Sequence, residues 1–168
     1  MKIIDITKLS NRYAVRKLSL SDADMIYSFC KKNTQYYEYC GKELSFELIK
    51  QDLEITPPGI PFEQKFYIGF FENDSLTAIM DLIIGYPDDK YSYIGFFMMD
   101  ISQQGVGIGS RIISEVSAYL RQQGFEKCQL GIDKYNPQSN HFWRKNDFEI
   151  IREVPLDEGI ILLAEKTL

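Results

Sequence analysis

The stretch Asp100-Ile101-Ser102-Gln103-Gln104-Gly105-Val106-Gly107-Ile108-Gly109-Ser110 decides how the rest of the chain is read. It lies between an apolar run, Phe96-Phe97-Met98-Met99, and the clearest amphipathic pattern in the sequence. In that pattern Ile108, Ile112, Val116, Tyr119 and Leu120 form one helical stripe, and Gly124 is the expected C-terminal cap. The periodicity predicts a helix that starts at or near Gly105. Glycine in a helix costs about 1 kcal/mol relative to alanine, so three alternating glycines at a helix start need an offsetting gain. First-turn amides have no internal acceptor and glycines leave them bare, so a phosphate there gains hydrogen bonds and the favourable end of the helix dipole. The competing explanation, tight strand-to-helix packing, ordinarily asks for one glycine rather than three.

Two common phosphate motifs fit poorly. A Walker A loop needs Lys after its glycines, and none follows here; the dinucleotide fingerprint needs Gly at position 110, where this chain has Ser110. That fingerprint also follows the first strand of a parallel unit, whereas this turn follows the fourth strand of a meander.

Outward from the turn, periods of two and 3.6 alternate, as in mixed α/β domains. Strands are expected at Arg12 to Leu18, Lys65 to Glu72, Leu76 to Tyr86, Tyr91 to Met99, Lys127 to Asp133, Phe148 to Val154 and Ile160 to Glu165. Helices are expected from Ala23 to Cys30, capped by Ser19 or Ser21, from Phe46 to Leu53 after Ser45, and from Pro137 to Asn146. Gln35 to Gly41 reads as a tyrosine-rich link. The four apolar residues ending the fourth strand predict that it is covered on both faces in the middle of the sheet. The fold class is therefore α+β: a mixed, mostly antiparallel sheet of six to seven strands with helices on both faces. Without repeats or linkers, one domain over residues 1–168 is expected.

The 168 residues carry 19 Lys+Arg against 24 Asp+Glu, a formal charge of -5, with 45% hydrophobic and 14% aromatic residues. These values argue against disorder, and a chain this long buries roughly 70% of its unfolded surface without a staple. No apolar run approaches the about 20 residues of a membrane span, and no signal-peptide pattern opens the chain. A cytoplasmic protein that binds neither membrane nor nucleic acid is expected, since no basic stripe is present. Cys30, Cys40 and Cys128 form no C-x-x-C pair, and with one His, His141, no metal site is expected.

Gln104-Gly105-Val106-Gly107-Ile108-Gly109 matches the [Q/R]-x-x-G-x-[G/A] acetyl-CoA motif, and here the sequence resembles the GNAT superfamily of N-acetyltransferases. Asn136-Pro137-Gln138-Ser139-Asn140-His141-Phe142-Trp143-Arg144-Lys145-Asn146-Asp147-Phe148 is similar to that family's second signature. Trp143 takes the usual Tyr position and Asp147 the usual Gly. The order of strands and helices resembles the family's over nearly the whole chain.

The resemblance implies an acetyl-CoA-dependent N-acetyltransferase in which a primary amine of a small molecule or peptide attacks the thioester directly, with a homodimer possible. It implies that the amides of Gln104, Gly105, Val106, Gly107, Ile108, Gly109 and Ser110 hold the pyrophosphate, and that Phe97, Met98 and Met99 pair with the pantetheine arm. It places the N–H of Phe97 on the developing oxyanion. Asn136 would hold the pantetheine amide, Phe142 and Trp143 would flank the sulfur, and Ser139 completes the cofactor set. Trp143 is no acid, so the usual thiolate-protonating group is missing. No carboxylate lies on the expected fourth-strand face of Tyr91, Tyr93, Gly95, Phe97 and Met99. Tyr93, where some relatives place the base, or Asp81 would assist proton loss through water. Tyr36, Tyr37 and Tyr39 with Glu38 either pack a lid or wall a pocket for a cationic amine; Arg111, Lys134, Arg144 and Lys145 surround the expected cofactor site. The missing acid and carboxylate keep a second function open, a catalytically impaired CoA-binding sensor or interaction module.

Overall fold

In the computed structural model, which describes residues 1–168, seven strands make one sheet. They are β1 (Ala14–Lys17), β2 (Lys65–Glu72), β3 (Ser75–Ile84), β4 (Tyr91–Met99), β5 (Lys127–Asp133), β6 (Glu149–Leu156) and β7 (Gly159–Thr167), in the spatial order β1-β2-β3-β4-β5-β7-β6. Every pairing is antiparallel except β4 with β5. The helices are α1 (Ala23–Lys31), α2 (Thr34–Cys40), α3 (Phe46–Glu54), α4 (Ile108–Gln122) and α5 (Pro137–Lys145).

Strand alternation divides the core between the two faces of the sheet. On one face Ile68 and Phe70 of β2 and Met80 and Leu82 of β3 pack with the stripe of α4 (Ile112, Val116, Tyr119, Leu120) and with Trp143 of α5. On the other, Tyr67 and Ile79 pack with Ile26 and Phe29 of α1 and Ile49 and Leu53 of α3. β3 is buried along most of its length because it serves both cores, and β4 lies fourth of seven, as its run of four apolar residues indicated.

Two expectations fail locally. Gln35 to Gly41 belongs to α2 rather than a link: Gly41 caps it at φ 66, and Tyr36 and Tyr37 pack their rings edge-to-face, centroids 5.0 Å apart, against the second core. Tertiary burial of those rings outweighs weak helix propensity. Secondly, α4 begins at Ile108, with Gly107 as its N-cap at φ 86, so only Gly109 of the three glycines pays a helical cost.

The alternation of β4 also changes phase. Leu82 of β3 pairs with Ile94, but Asp81 pairs with Phe96, which leaves Gly95 as the extra residue of a β-bulge. Ile94, Phe97 and Met99 therefore share the α4 face, whereas Phe96 and Met98 join the α1 and α3 face. The uninterrupted alternation expected for Tyr91 to Met99 stops at Gly95. A Cβ at Gly95 would stand 2.8 Å from Asp81 Oδ2, an oxygen already tied to Lys65 Nζ at 2.7 Å. Gly95→Ala is accordingly expected to destabilise the fold by about 1–3 kcal/mol, read as a lowered urea midpoint with an unchanged m-value.

Candidate active site

Beyond the bulge β4 loses its neighbour. Its parallel pairing with β5 runs from Tyr91 with Lys127 to Ile94 with Leu130 and ends there. The Asp100 N–H donates to Thr77 O at 2.8 Å, so by alternation the Met98 amide also faces β3, while those of Phe97 and Met99 face the gap. The Met99 carbonyl, on the same side, accepts from Asn33 Nδ2 at 3.4 Å and Gln104 Nε2 at 3.2 Å. This gap opens into a cleft of about 370 Å³ lined by the end of β4, the glycine turn and one face of α5.

The turn presents donors. None of the seven consecutive backbone N–H groups from Gln104 to Ser110 reaches an acceptor in the protein; the first amide of the helix to do so is Arg111, which donates to Gly107 O at 3.1 Å. Seven bare amides around a helix start form an anion-binding concavity. The glycines serve it in two ways. Gly105 (φ 77) and Gly107 (φ 86) have open space around them and are needed for left-handed backbone. Gly109 is needed for room, since its Cβ would lie 3.2 Å from Phe142 Cε2 and 3.3 Å from Met99 Cγ. The packing explanation weighed from sequence thus applies at Gly109, whereas Gly105 and Gly107 answer to backbone conformation.

The turn is held from three sides. Gln104 Nε2 donates to Asn33 Oδ1 at 2.6 Å, Gln138 Nε2 donates to Gln104 Oε1 at 3.1 Å, and Asn146 Nδ2 donates to Ser110 Oγ at 3.1 Å. Asn33, between α1 and α2, is buried and ties that junction to both the turn and β4. No local sequence pattern signals that contact.

Twelve of the fourteen residues expected at the cofactor line this cleft: Phe97, Met98, Met99, Gln104, Gly105, Gly107, Gly109, Ser110, Asn136, Ser139, Phe142 and Trp143. The side chains of Val106, which is exposed, and Ile108, which packs on the core, do not. Asn136 Oδ1 caps α5 by accepting from Ser139 N–H at 3.1 Å, and the Asn136 side chain makes no other hydrogen bond, so its Nδ2 is unclaimed. Trp143 is buried among Phe97, Phe142 and Phe148, with ring centroids 5.9, 4.9 and 5.2 Å away. Of the four cations expected nearby, only Lys145 lines the cleft; Lys134 pairs with Glu153 at 2.6 Å. His141 is exposed but lines it too.

Asp81 and Tyr93 stand elsewhere. Both lie on the opposite face of the sheet, and Tyr93 packs edge-to-face on Tyr86 with centroids 5.4 Å apart, its hydroxyl raised in pKa by burial. It lines neither this cleft nor the one below. Asp81 lines a second cleft of about 390 Å³ between α2, α3 and the sheet. Burial pushes its carboxyl up to about 6 against the opposing pull of Lys65, which is almost wholly buried. Oδ2 takes the Lys65 bond, and Oδ1 is buried without a partner. Lys65 was missed in the sequence, where it reads as an exposed strand start. The cysteines are free thiols; Cys30 and Cys128 are buried and pushed up to about 11 and about 12 by desolvation. No group of three or more His, Cys, Asp and Glu side chains could hold a metal, and no helix is long and apolar enough to cross a membrane.

Residues 26–148, well over half the chain, match the model of the acetyltransferase (GNAT) family, and the chain belongs to that family. It is thereby an acetyltransferase by class. No curated protein matches it significantly by sequence. Among solved structures it is similar to an acetyltransferase from Thermus thermophilus (17% identity, all of both chains covered, TM-score 0.74). It is also similar to a Salmonella typhimurium acetyltransferase that modifies the N-terminal serine of a ribosomal subunit protein (18% identity, 95% of this chain and 97% of that one, TM-score 0.72). A third likeness is to AAC(6')-Ib in complex with paromomycin and acetyl-CoA (15% identity, 94% of each chain, TM-score 0.72).

Because Gly107 has space but a left-handed backbone, Gly107→Ala is expected to cost about 1–2 kcal/mol of stability and to weaken acetyl-CoA binding by disordering the amide array. Thermal unfolding and calorimetry with acetyl-CoA read the two effects separately.

Proposed function

We propose that the protein transfers an acetyl group from acetyl-CoA to a primary amine of a small molecule or peptide, with both substrates bound at once. The observation that carries this reading is the run of seven unpartnered amides, Gln104 to Ser110, at the mouth of a cleft that follows the open edge of β4. A pyrophosphate satisfies those donors, and Lys145 adds the one lysine charge lining the cleft. The bare Phe97 and Met99 edge of β4 takes an amide-bearing arm as a strand would. Asn136 Nδ2 is the donor for a carbonyl on that arm, and Phe142 with Trp143 gives its sulfur end an apolar seat.

Acetyl-CoA, when bound, supplies an activated thioester. The Phe97 N–H, fixed by the bulge and facing the gap, stabilises negative charge on the acyl oxygen at attack. A new C–N bond replaces the C–S bond, and coenzyme A leaves as its thiolate, which takes a proton from solvent; the ordinary acidity of that thiol makes a strong acid unnecessary. Asp81 takes the surplus proton of the amine through its unpartnered carboxylate oxygen, directly or through water. A base with a pKa near 6 is deprotonated at neutral pH yet basic enough to accept a proton. Tyr93, buried against Tyr86, packs the strand beside this acid and assists only through water; Trp143 shapes the sulfur seat.

The kcat/KM of the wild type should rise with pH through a limb near 6, where Asp81 loses its proton. Asp81→Asn should remove that limb and lower the rate about 100-fold. Lys65→Gln deletes a charge that favours the carboxylate, so the limb should move to higher pH. Thiol release from acetyl-CoA across a panel of amines checks the reaction itself: binding without release for any amine would assign the CoA-binding module instead, and no binding would defeat the proposal.

A further inference from the structure

The second cleft is reached from the first. Phe96 and Phe97 are consecutive residues on opposite faces of β4, at the stretch where β5 no longer pairs; Phe96 lines the second cleft and Phe97 the first. Tyr36 lines both. An acyl group held in the gap is therefore open to attack from the α2 and α3 side. The volume of about 390 Å³ suits a small molecule.

Two carboxylates line this cleft, and they differ in their surroundings. Asp81, paired in register with Phe96 beside the gap, is tied to Lys65. Asp52, on α3, is part-buried and takes part in no ion pair and no side-chain hydrogen bond. Burial raises its pKa against the pull of Lys42 and Lys65, and its charge in turn raises that of Asp81. Lys42 is exposed at the rim and forms no ion pair with it. Asp52 is thus a part-buried carboxylate in a cleft that Tyr36 and Tyr37 also line, with no side chain bonded to it, and a ligand that supplies a counter-charge there offsets its partial desolvation. Glu38 and Tyr39, expected to contribute to such a wall, do not line the cleft, and neither does the final β6–β7 hairpin.

An amine attacks only when neutral, so a carboxylate that holds an ammonium must face a nitrogen other than the reacting one. The acid beside the gap is suited to the reacting nitrogen, and the acid on α3 to another. From this division we infer that the second cleft is the acceptor site and takes a small primary amine carrying a second positive charge, which Asp52 binds. This inference rests on the acetyl-transfer reading above and specifies its acceptor.

The test compares 1,4-diaminobutane with n-butylamine, which match in length and differ in one charge, on the full chain with saturating acetyl-CoA. The wild type should show a kcat/KM for the diamine roughly tenfold or more above that for the monoamine, the size of a charge-assisted hydrogen bond, expressed mainly in KM. Asp52→Asn should bring the ratio close to one, with the thermal unfolding midpoint confirming that the variant is folded. Equal use of both amines by the wild type, or a preference that survives in Asp52→Asn, overturns the assignment of Asp52. If acetyl-CoA binds but neither amine is acetylated or detected by calorimetry at millimolar concentration, the proposed acceptor class is wrong while the cofactor reading stands. If acetyl-CoA itself fails to bind, both fall together.

Discussion

The loss of one strand's partner in the middle of the sheet organises this molecule. β4 pairs with β3 along its length but with β5 only as far as Ile94. Unpaired backbone groups inside a fold must find partners, and the structure deals with them in two ways. The Met99 carbonyl is satisfied internally by Asn33 and Gln104, whereas the donors at Phe97 and Met99 are left to the cleft. The Gly95 bulge makes this arrangement compatible with both cores, because it shifts the alternation so that Phe97 follows Ile94 onto the α4 face and Phe96 goes to the α1 and α3 face. Without that half-step, Phe97 would sit in the α1 and α3 core and the seat formed with Phe142 and Trp143 would lose one wall.

A polyanionic cofactor is a demanding ligand for a chain of net charge -5. The long-range field of the protein does not attract it, so affinity has to come from short-range groups that are not screened at contact. In the proposed reading seven neutral amide donors provide that without adding cations, and the network through Gln104, Gln138, Ser110 and Asn146 fixes their direction. The same acidic balance suits the far side of the sheet, where the inferred acceptor is a cation. In the proposed reading one sheet separates two ligands of opposite charge, and they meet where it splays.

Much of this was legible in the sequence because it is local. The α4 stripe repeats at 3.6 residues, and the spacing of Gly105, Gly107 and Gly109 reports a turn whose backbone demands are set within seven residues. The boundary between β2 and β3 is local too, set by the turn Asn73-Asp74, both residues in left-handed conformations. What stayed hidden depends on register and packing between distant segments. Gly95 in a strand signals a bulge only in principle; its meaning requires knowing that Asp81 lies across from it. α2 forms because its tyrosines reach a core built by α1 and α3, which no local pattern states. Asn33, Lys65 and Asp52 look like surface residues until the tertiary fold buries one face of each.

The Lys65–Asp81 pair shows that this arrangement is not optimised for stability. Asp81 titrates near 6 when folded and near 3.8 when exposed, so the folded state holds its proton more tightly across that window. A group raised in this way contributes stability that is present below about pH 4 and lost as the pH climbs through 6. At neutral pH the ionised carboxylate is therefore a net burden on the fold, and apolar residues of similar volume would serve the core as well or better. Its unpartnered Oδ1 adds a desolvation cost of its own. A buried ion pair that weakens the fold at working pH, beside a bulge and with a gap in the sheet one residue away, carries a structural cost that packing does not offset, and the proposed chemistry at the gap would account for it.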